Sequence, residues 1–572
     1  MLQLVTRIRC WWSLLLLILL SCRSIETERP NMLFVVMDDL GYGQFGIYND
    51  HLTIRDFDPY FTYLVDSLQG YSLEKALEFT KRAIPTMSQL AKEGLIFSRA
   101  FTSSNVCAPS RLGMATGILQ NRWGIYTNRD CENSGLRPGS HLAERLQGLD
   151  YKTAHIGKWH IGKKDNQMVR KLMSQHDLDP DLTLAQIRAT YPQLIRDLEN
   201  QGYFGSVVRE QHPLQNGFDY YYGYNYWASQ YYNATNVWQD YVHAGKQQGY
   251  NTDVFTEQAI DFMEQQLDDK HTFFVQLHYH AVHDSVEPKA PDKYLDHFDA
   301  ESHELNNFYA HIFGVDSNIG RIIDFLKSRG EYENTLIIFT SDNGAMCGGV
   351  YDGHKSGSPL PGNAPYAGQK GTYFQGGIRV PMFMHWPVEI REGAWSDALV
   401  STMDILPTAI EAAGGVVPEN IDGKSLFSLY TEESSEPIHD HLVWSGAHSY
   451  RWGFLVTRTT KTHANEFGFA PPSWAIIRKD YLLRFTGSLP PGIYLDHISG
   501  RGPALIMHHL EKDPAERTDL SEQYPKDFYE MAQLYYETAS DFPPPVTWDK
   551  EKWREMIDVN VLHAESLIPK NE

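Results

Sequence analysis

Four short, nearly unbroken apolar runs constrain this chain more than any other feature. Asn31–Met37 reads NMLFVVM and stops at Asp38-Asp39-Leu40-Gly41. Residues 272–277 (TFFVQL) run into a histidine cluster, and 335–339 (TLIIF) run into Thr340-Ser341-Asp342-Asn343-Gly344. Residues 382–386 form the fourth run, after Arg379-Val380-Pro381. Apolar runs without polar alternation suit strands covered on both faces, as in a parallel sheet. Helical spacing lies between them, for example at residues 310–326. Strands alternating with helices predict an α/β fold: a large, mostly parallel sheet sandwiched by helices. Ligands of such sheets sit beyond the carboxyl ends of the strands. The polar clusters fall at those ends.

From about Trp444 the texture changes. Residues 474–485 (WAIIRKDYLLRF) read as antiparallel strands and 524–540 as a helix. The expected organisation is a leader at 1–21, a catalytic domain at 31–440, and a smaller C-terminal α+β domain with an antiparallel sheet at 441–572. The Gly- and Pro-rich stretch 348–377 reads as a long functional loop.

Charge narrows the partners. The 572 residues hold 50 Lys plus Arg against 72 Asp plus Glu, a net charge of −22. With no long basic run, nucleic acid is excluded as the expected partner. An anionic substrate needs a locally positive pocket or a metal. The amino end carries Arg7 and Arg9, then an apolar run at 13–20, too short to span a membrane. This is the pattern of an export signal. It ends Leu19-Leu20-Ser21-Cys22, which resembles a bacterial lipobox. The expectation is lipidation of Cys22, giving an outer-membrane lipoprotein or periplasmic protein of a Gram-negative bacterium that touches membrane only through that anchor. Of five cysteines, Cys10 and Cys22 belong to the leader. Cys107, Cys131 and Cys347 are too few for a disulfide framework, although Cys131 and Cys347 are free to pair.

Two sets of residues carry candidate chemistry. Asp38, Asp39, Asp342 and Asn343 offer oxygen ligands, the set a hard cation such as Ca²⁺ or Mg²⁺ takes. The ordinary reading of each pair is capping and turn formation after a strand. Arg111, Lys158, His160, His283 and Lys370 are cations or proton carriers. Each alone reads as a solvated or structural residue; together they supply the positive pocket that the net charge demands.

These residues also carry a resemblance. The signature C-x-P-S-R-x-x-x-x-T-G is complete from Cys107 to Gly117. It is accompanied by YKTAHIGKWHIG at 151–162, NGFD at 216–219, SDNG at 341–344, KGTYFQGGIRVP at 370–381, DILPTAIEAAG at 404–414 and DGKSL at 422–426. Over residues 31 to about 520 the chain resembles the formylglycine-dependent (type I, arylsulfatase-like) sulfatases of the alkaline phosphatase superfamily. The resemblance implies the same α/β fold with a small C-terminal domain. It implies that a maturation enzyme oxidises Cys107 to formylglycine, whose hydrate is the nucleophile. Asp38, Asp39, Asp342 and Asn343, with the modified Cys107, would hold one divalent ion, Ca²⁺ ahead of Mg²⁺. Arg111 would steady the formylglycine, and Lys158 would bind it and the sulfate. His160 would take the second hydroxyl's proton. His283 and Lys370 would bind sulfate and protonate the leaving oxygen, with the donor between them left open. His278 and His280 lie close by, but His283 fits the family's position.

The resemblance further implies hydrolysis of sulfate esters on a sulfated oligo- or polysaccharide, with algal polymers, ulvan first, favoured by analogy. The rival readings are a phosphonate monoester or phosphodiester hydrolase with the same formylglycine site, and a non-catalytic surface glycan-binding lipoprotein. Ala367 stands where many members have Arg, and Gln375 where Glu is frequent. Inserts lie at about 56–77 and 163–207. Residues 218–241 hold eleven aromatics, among them Trp227 and Trp238, which serve either sugar stacking or core packing. Asn233-Ala234-Thr235 fits a glycosylation acceptor, discounted for a bacterial chain.

Overall fold

The computed structural model describes residues 29–58, 62, 70–165, 167–179, 182, 184–200, 207–225, 228–283, 289–347, 349–351, 354–431, 437–446, 473–486, 504–551, 553 and 554. The leader, with Cys22, lies outside the described residues.

All seven residues of Asn31–Met37 are buried. Successive side chains of a strand point to opposite faces, and here each face has its own core. Leu33, Val35 and Met37 pack under Asn251–Asp268 and His303–Arg329, through Phe255, Ala259, Ile312 and Ile319. Met32, Phe34 and Val36 pack on the other side against Cys107–Thr116, Leu142–Gln147 and Ile405–Ala412, through Leu112, Leu146 and Ala409. The sheet is therefore sandwiched, as the unalternating runs require.

It has ten strands, in the order Ala394–Ser396, Leu95–Phe97, Met382–His385, Thr335–Ser341, Asn31–Met37, Phe273–His278, Lys152–Lys158, Tyr220–Tyr224, Trp238–Gln239 and Val242–His243. The central five, Thr335–Ser341 to Tyr220–Tyr224, are parallel. Met382–His385 pairs antiparallel with both of its neighbours, so the fourth apolar run is a strand of reversed direction. Register positions the site. Met37 lies opposite Ser341, Val36 opposite His278, and Gly157 opposite His278. The parallel strands thus end in line, and the residues that follow them share one edge. Gly157 allows this closeness: its φ is +100°, and a Cβ there would lie 1.9 Å from the His278 carbonyl oxygen.

Strands His441–Gly446, Ser473–Arg478, Tyr481–Thr486 and Ala504–His509 form a separate antiparallel sheet. Helix Pro525–Ala539 covers one face through Phe528, Met531 and Tyr535. Ala475, Ile477 and Leu482 on the other face pack on Phe101, Tyr373 and Ile378 of the larger part.

Insert 163–207 contains helices Gln167–Gln175, Leu184–Thr190 and Pro192–Asn200, with a small core of Met173, Ile187 and Ile195. Loop 348–377 includes a short hairpin, Gly349–Tyr351 with His354–Ser356. Cys131 and Cys347 are both free and sit in different cores, so the pairing left open by the sequence is not made. In the aromatic segment, Phe218, Tyr221, Tyr222, Tyr224 and Tyr231 are buried core residues, while Trp227 lies outside the described residues.

Candidate active site

At the common edge, four of the five parallel strands deliver one or more ionisable groups at or just beyond their ends. Asp38 and Asp39 follow Asn31–Met37, and Asp39 takes a left-handed φ of +61°, a conformation Asp tolerates better than most residues. Its amide donates to Asp342 Oδ1 at 3.1 Å, tying the Asp38-Asp39 turn to the turn after Thr335–Ser341. Leu40 N donates to Ser341 Oγ at 3.0 Å, a second tie between the same turns. Lys158 closes its strand, and His160 follows at φ +57°. His283 follows Phe273–His278 after a short turn. Lys370 comes from the long loop, held by its own N–H to the Ala345 carbonyl at 3.1 Å. Cys107 opens the helix Cys107–Thr116, all of whose residues are buried.

These groups converge. Lys158 Nζ lies 2.6 Å from Asp38 Oδ2, with both side chains fully buried. Lys370 Nζ straddles Asp39, at 2.6 and 2.8 Å from its two oxygens. Arg111 donates from Nε to Asp342 Oδ2 at 2.9 Å, its Nη2 lies 3.4 Å from Asp38 Oδ1, and its Nη1 donates to the Lys158 carbonyl at 3.2 Å. Asn343 Nδ2 donates to Asp39 Oδ1 at 2.7 Å, and Cys107 Sγ is 3.9 Å from the same oxygen. His283 Nε2 is 3.8 Å from Asp39 Oδ2. Thus the structure brings together Cys107, Arg111, Lys158, His283, Lys370, Asp38, Asp39, Asp342 and Asn343. His160 lies among the same charges, both ring nitrogens buried and lacking a hydrogen bond among the described residues.

Exposure grades the cluster. Lys158, Arg111, Asp38 and Asp342 form a closed floor, whereas the side chains of His283 and Lys370 keep 12% and 14% of their surface. A ligand entering from solvent meets those two first.

The electrostatics follow from burial and pairing. Burial acts to raise the Asp38 carboxyl, but Lys158, His283, Arg111 and Lys370 together hold it well below the usual range. The same opposition, led by Lys370, lowers Asp39. Asp342 is pushed up to about 6 by burial and by the Asp38 charge. Burial drives His160 well below the usual imidazole value and His283 down to about 4, so both are neutral at neutral pH. Lys370, despite burial, is raised by Asp39 and stays protonated. The Cys107 thiol is pushed up to about 12, mainly by burial. As a cysteine it is a protonated, weak nucleophile.

The residues fit a hard divalent cation. Asp38 Oδ1 and Asn343 Oδ1 are buried oxygens without a hydrogen bond among the described residues. One atom each from Asp38, Asp39, Cys107 and His283 lie within 4.8 Å of one another. That group overlaps the expected ligand set without matching it. Asp342 already accepts from Arg111 and from the Asp39 amide, and Asn343 adjoins through Asp39.

One partner was not legible as such in the sequence. His278 Nδ1 sits 3.0 Å from Arg111 Nη1. The guanidinium can only donate, so toward Arg111 Nδ1 is an acceptor; the same nitrogen lies 3.3 Å from the Lys158 carbonyl, and burial with the Arg111 charge holds the imidazole well below its usual value. The strand-end histidine cluster flags His278, but only the fold shows which of its members turns inward. His280 is likewise engaged, its Nδ1 2.9 Å from the Tyr224 hydroxyl.

The chain matches the sequence model of the Sulfatase family over residues 30–416. It matches a second, described as N-sulphoglucosamine sulphohydrolase, C-terminal, over 369–464. It is 31% identical over 427 residues to the uncharacterized sulfatase YdeN of Escherichia coli, covering 74% of this chain and 70% of that one. N-acetylgalactosamine-6-sulfatase of Homo sapiens is 25% identical over 524 residues, covering 86% and 82% respectively. A solved structure of Ps i-CgsB in complex with k-i-k-neocarrahexaose superposes with a TM-score of 0.64 at 20% identity, covering 94% of this chain and 98% of that chain, a likeness of fold.

Proposed function

The chain belongs to the sulfatase family and is a sulfuric ester hydrolase, and from that premise we propose that it removes sulfate from sulfated carbohydrates, using a formylglycine derived from Cys107 beside a Ca²⁺ ion. The observation that carries the reading is the place of Cys107. It opens a buried helix 3.9 Å from Asp39, inside a cluster where Asp38, Asp39 and Asp342 face Arg111, Lys158 and Lys370. The carbohydrate class is supported by the relative named N-acetylgalactosamine-6-sulfatase.

Asp38, Asp39, Asn343 and, through its remaining lone pairs, Asp342 would hold the ion. A bound Ca²⁺ would supply Lewis acidity toward sulfate oxygen and neutralise charge near residue 107. Hydrated formylglycine would supply one hydroxyl to attack sulfur and a second whose proton can be removed when sulfate leaves. The remaining roles belong to side chains as they stand. Lys158, on the floor, and Lys370 and His283, at the mouth, surround the place of a sulfate and stabilise its negative charge. The leaving sugar oxygen needs a proton. Lys370 and His283, both beside Asp39 at the mouth, are the two groups placed to hold that proton. His160, neutral and without a hydrogen bond among the described residues, is suited to accept one. Arg111 touches carboxylates rather than solvent and acts by orienting Asp38 and Asp342.

The test is release of inorganic sulfate from ulvan first, then carrageenan, fucoidan and glycosaminoglycan oligosaccharides. At least one should be desulfated. No sulfate from any, with faster cleavage of a phosphonate monoester, would replace this reading with that of a phosphonate hydrolase. Export and lipidation at Cys22 belong to the same proposal; metabolic labelling with a radioactive fatty acid, abolished by Cys22→Ala, is its check.

A further inference from the structure

A cavity of about 380 Å³ lies away from the catalytic cluster. Its lining combines the apolar side chains of Ile118, Leu406, Pro418 and Ile421 with three arginines, Arg122, Arg137 and Arg145. Its volume falls in the roughly 300–1,000 Å³ range of small-ligand sites.

Two distances along the chain place it. Thr116, in its lining, ends the ten-residue helix that Cys107 begins, so the helix separates cavity and cluster by about 15 Å. Arg145 lies on Leu142–Gln147, just before the strand Lys152–Lys158 whose last residue enters the cluster. A strand of that length spans roughly 20 Å. The cavity therefore lies toward the opposite end of the strands.

The three arginines are not equivalent. Arg122 is neutralised by Asp422, with Nη2 2.8 Å from Oδ1 and Nε 3.0 Å from Oδ2. Arg137 lies over the Trp123 ring, 4.8 Å from its centroid, a cation–π contact beside the cavity. Among the described residues neither Arg137 nor Arg145 has a carboxylate partner. In a chain of net charge −22, two unneutralised arginines at one cavity are a local inversion of the field.

We infer that this cavity is a non-catalytic binding site for an anionic saccharide segment. A pyranose presents C–H faces to apolar side chains and anionic substituents to cations, and the lining offers both. A planar guanidinium pairs with sulfate or carboxylate through two parallel N–H groups. The choice of a sulfated saccharide among anions rests on the hydrolase reading above. The site holds polymer toward one end of the strands while the cluster works at the other.

The experiment compares the full chain with its Arg137→Gln/Arg145→Gln variant. Binding of short dextran sulfate is titrated at low salt, with neutral dextran and a DNA oligomer of similar charge as comparators, and hydrolysis of a small aryl sulfate is followed in parallel. The expected result is a dextran sulfate Kd at least tenfold weaker in the variant, no binding of neutral dextran, weaker binding of DNA than of dextran sulfate, and aryl sulfate kcat/KM within twofold of the parent. A Kd within twofold of the parent overturns the site. Equal binding of DNA overturns the saccharide assignment. Failure of the parent to hydrolyse aryl sulfate would instead count against the hydrolase reading, since arginine-dependent binding is read independently. Each single variant serves as a second test should the double variant not fold.

Discussion

Arg111 and Arg484 are both fully buried, and their surroundings diverge. Arg111 directs its donors to Asp342, Asp38, the Lys158 carbonyl and His278, at the floor of the catalytic cluster. Arg484, in the C-terminal sheet, lies 3.3 Å from Glu516 Oε2 and over the Phe374 ring. Glu516 Oε1 in turn accepts from the Gln375 amide at 2.7 Å. Phe374 and Gln375 continue the segment that carries Lys370. The first arginine holds groups proposed to do chemistry; the second fastens the C-terminal sheet to the backbone that delivers one of them. Burying a charge is expensive in either place. At the floor the return is a preorganised field, and at the sheet it is attachment of one segment to another.

This contrast breaks most sharply at Cys107. Cys107→Ala should lower kcat/KM by about 10³-fold or more with little change in melting temperature; retained activity would remove the nucleophile from the scheme. Arg111→Lys comes next, because a point charge cannot replace a planar fork. It should cost about 10²-fold in kcat/KM and reduce bound Ca²⁺ measured by elemental analysis. Unchanged metal content would show that Asp38 and Asp342 keep their orientation without it.

Glu516→Ala tests the other arginine. Removing the carboxylate that faces the buried Arg484 should cost about 3–5 kcal/mol of stability, read by denaturant unfolding, with activity lowered far less than in Arg111→Lys. The reverse pattern would erase the distinction between the two regions. His278 sharpens it: His278→Leu removes an acceptor from Arg111 and should cost roughly 1–3 kcal/mol, read as about a tenfold fall in kcat/KM, while His278→Asn, which keeps an acceptor on the same side, should recover most of it. Equal losses would make His278 a packing residue only.

The smallest effect is one of pH. Burial raises the Glu516 carboxyl above its usual value, although Arg484 opposes it. The folded chain then binds that proton more tightly than the unfolded one. The stability this contributes is full below the ordinary glutamate range and is lost as pH rises through the raised value. Glu516→Gln should flatten that part of the stability curve; an unchanged slope would mean the carboxyl is ionised throughout.

The sequence exposes the strands whose two faces are both apolar. Asn31–Met37 and Thr335–Ser341 show themselves because every residue faces a core. Lys152–Lys158 is hidden, since Thr153, His155 and Gly157 interrupt the run although all are buried. The direction of Met382–His385 is equally invisible, because apolar length says nothing of polarity. At the site, the motif residues gather as their positions after strands suggested. Which cation meets which carboxylate was not readable: Lys370 on Asp39 and Lys158 on Asp38 depend on backbone turns that side-chain identity does not encode. The aromatic segment shows the same limit, since burial alone assigns Phe218, Tyr221 and Tyr224 to the core.

The burial of Cys107 also bears on the order of events in the life of the chain. An oxidising enzyme must close its own catalytic residues around the sulfur, yet in the folded protein Cys107 is 1% exposed and heads a helix that is buried throughout. On the proposed formylglycine reading, conversion would belong to the interval between synthesis and compaction. Folding and maturation would compete for the same stretch of extended chain, and a molecule that folded first would be sealed as an inert thiol. The active fraction of a preparation would then be set by timing in the producing cell, and no later treatment of the folded protein would raise it.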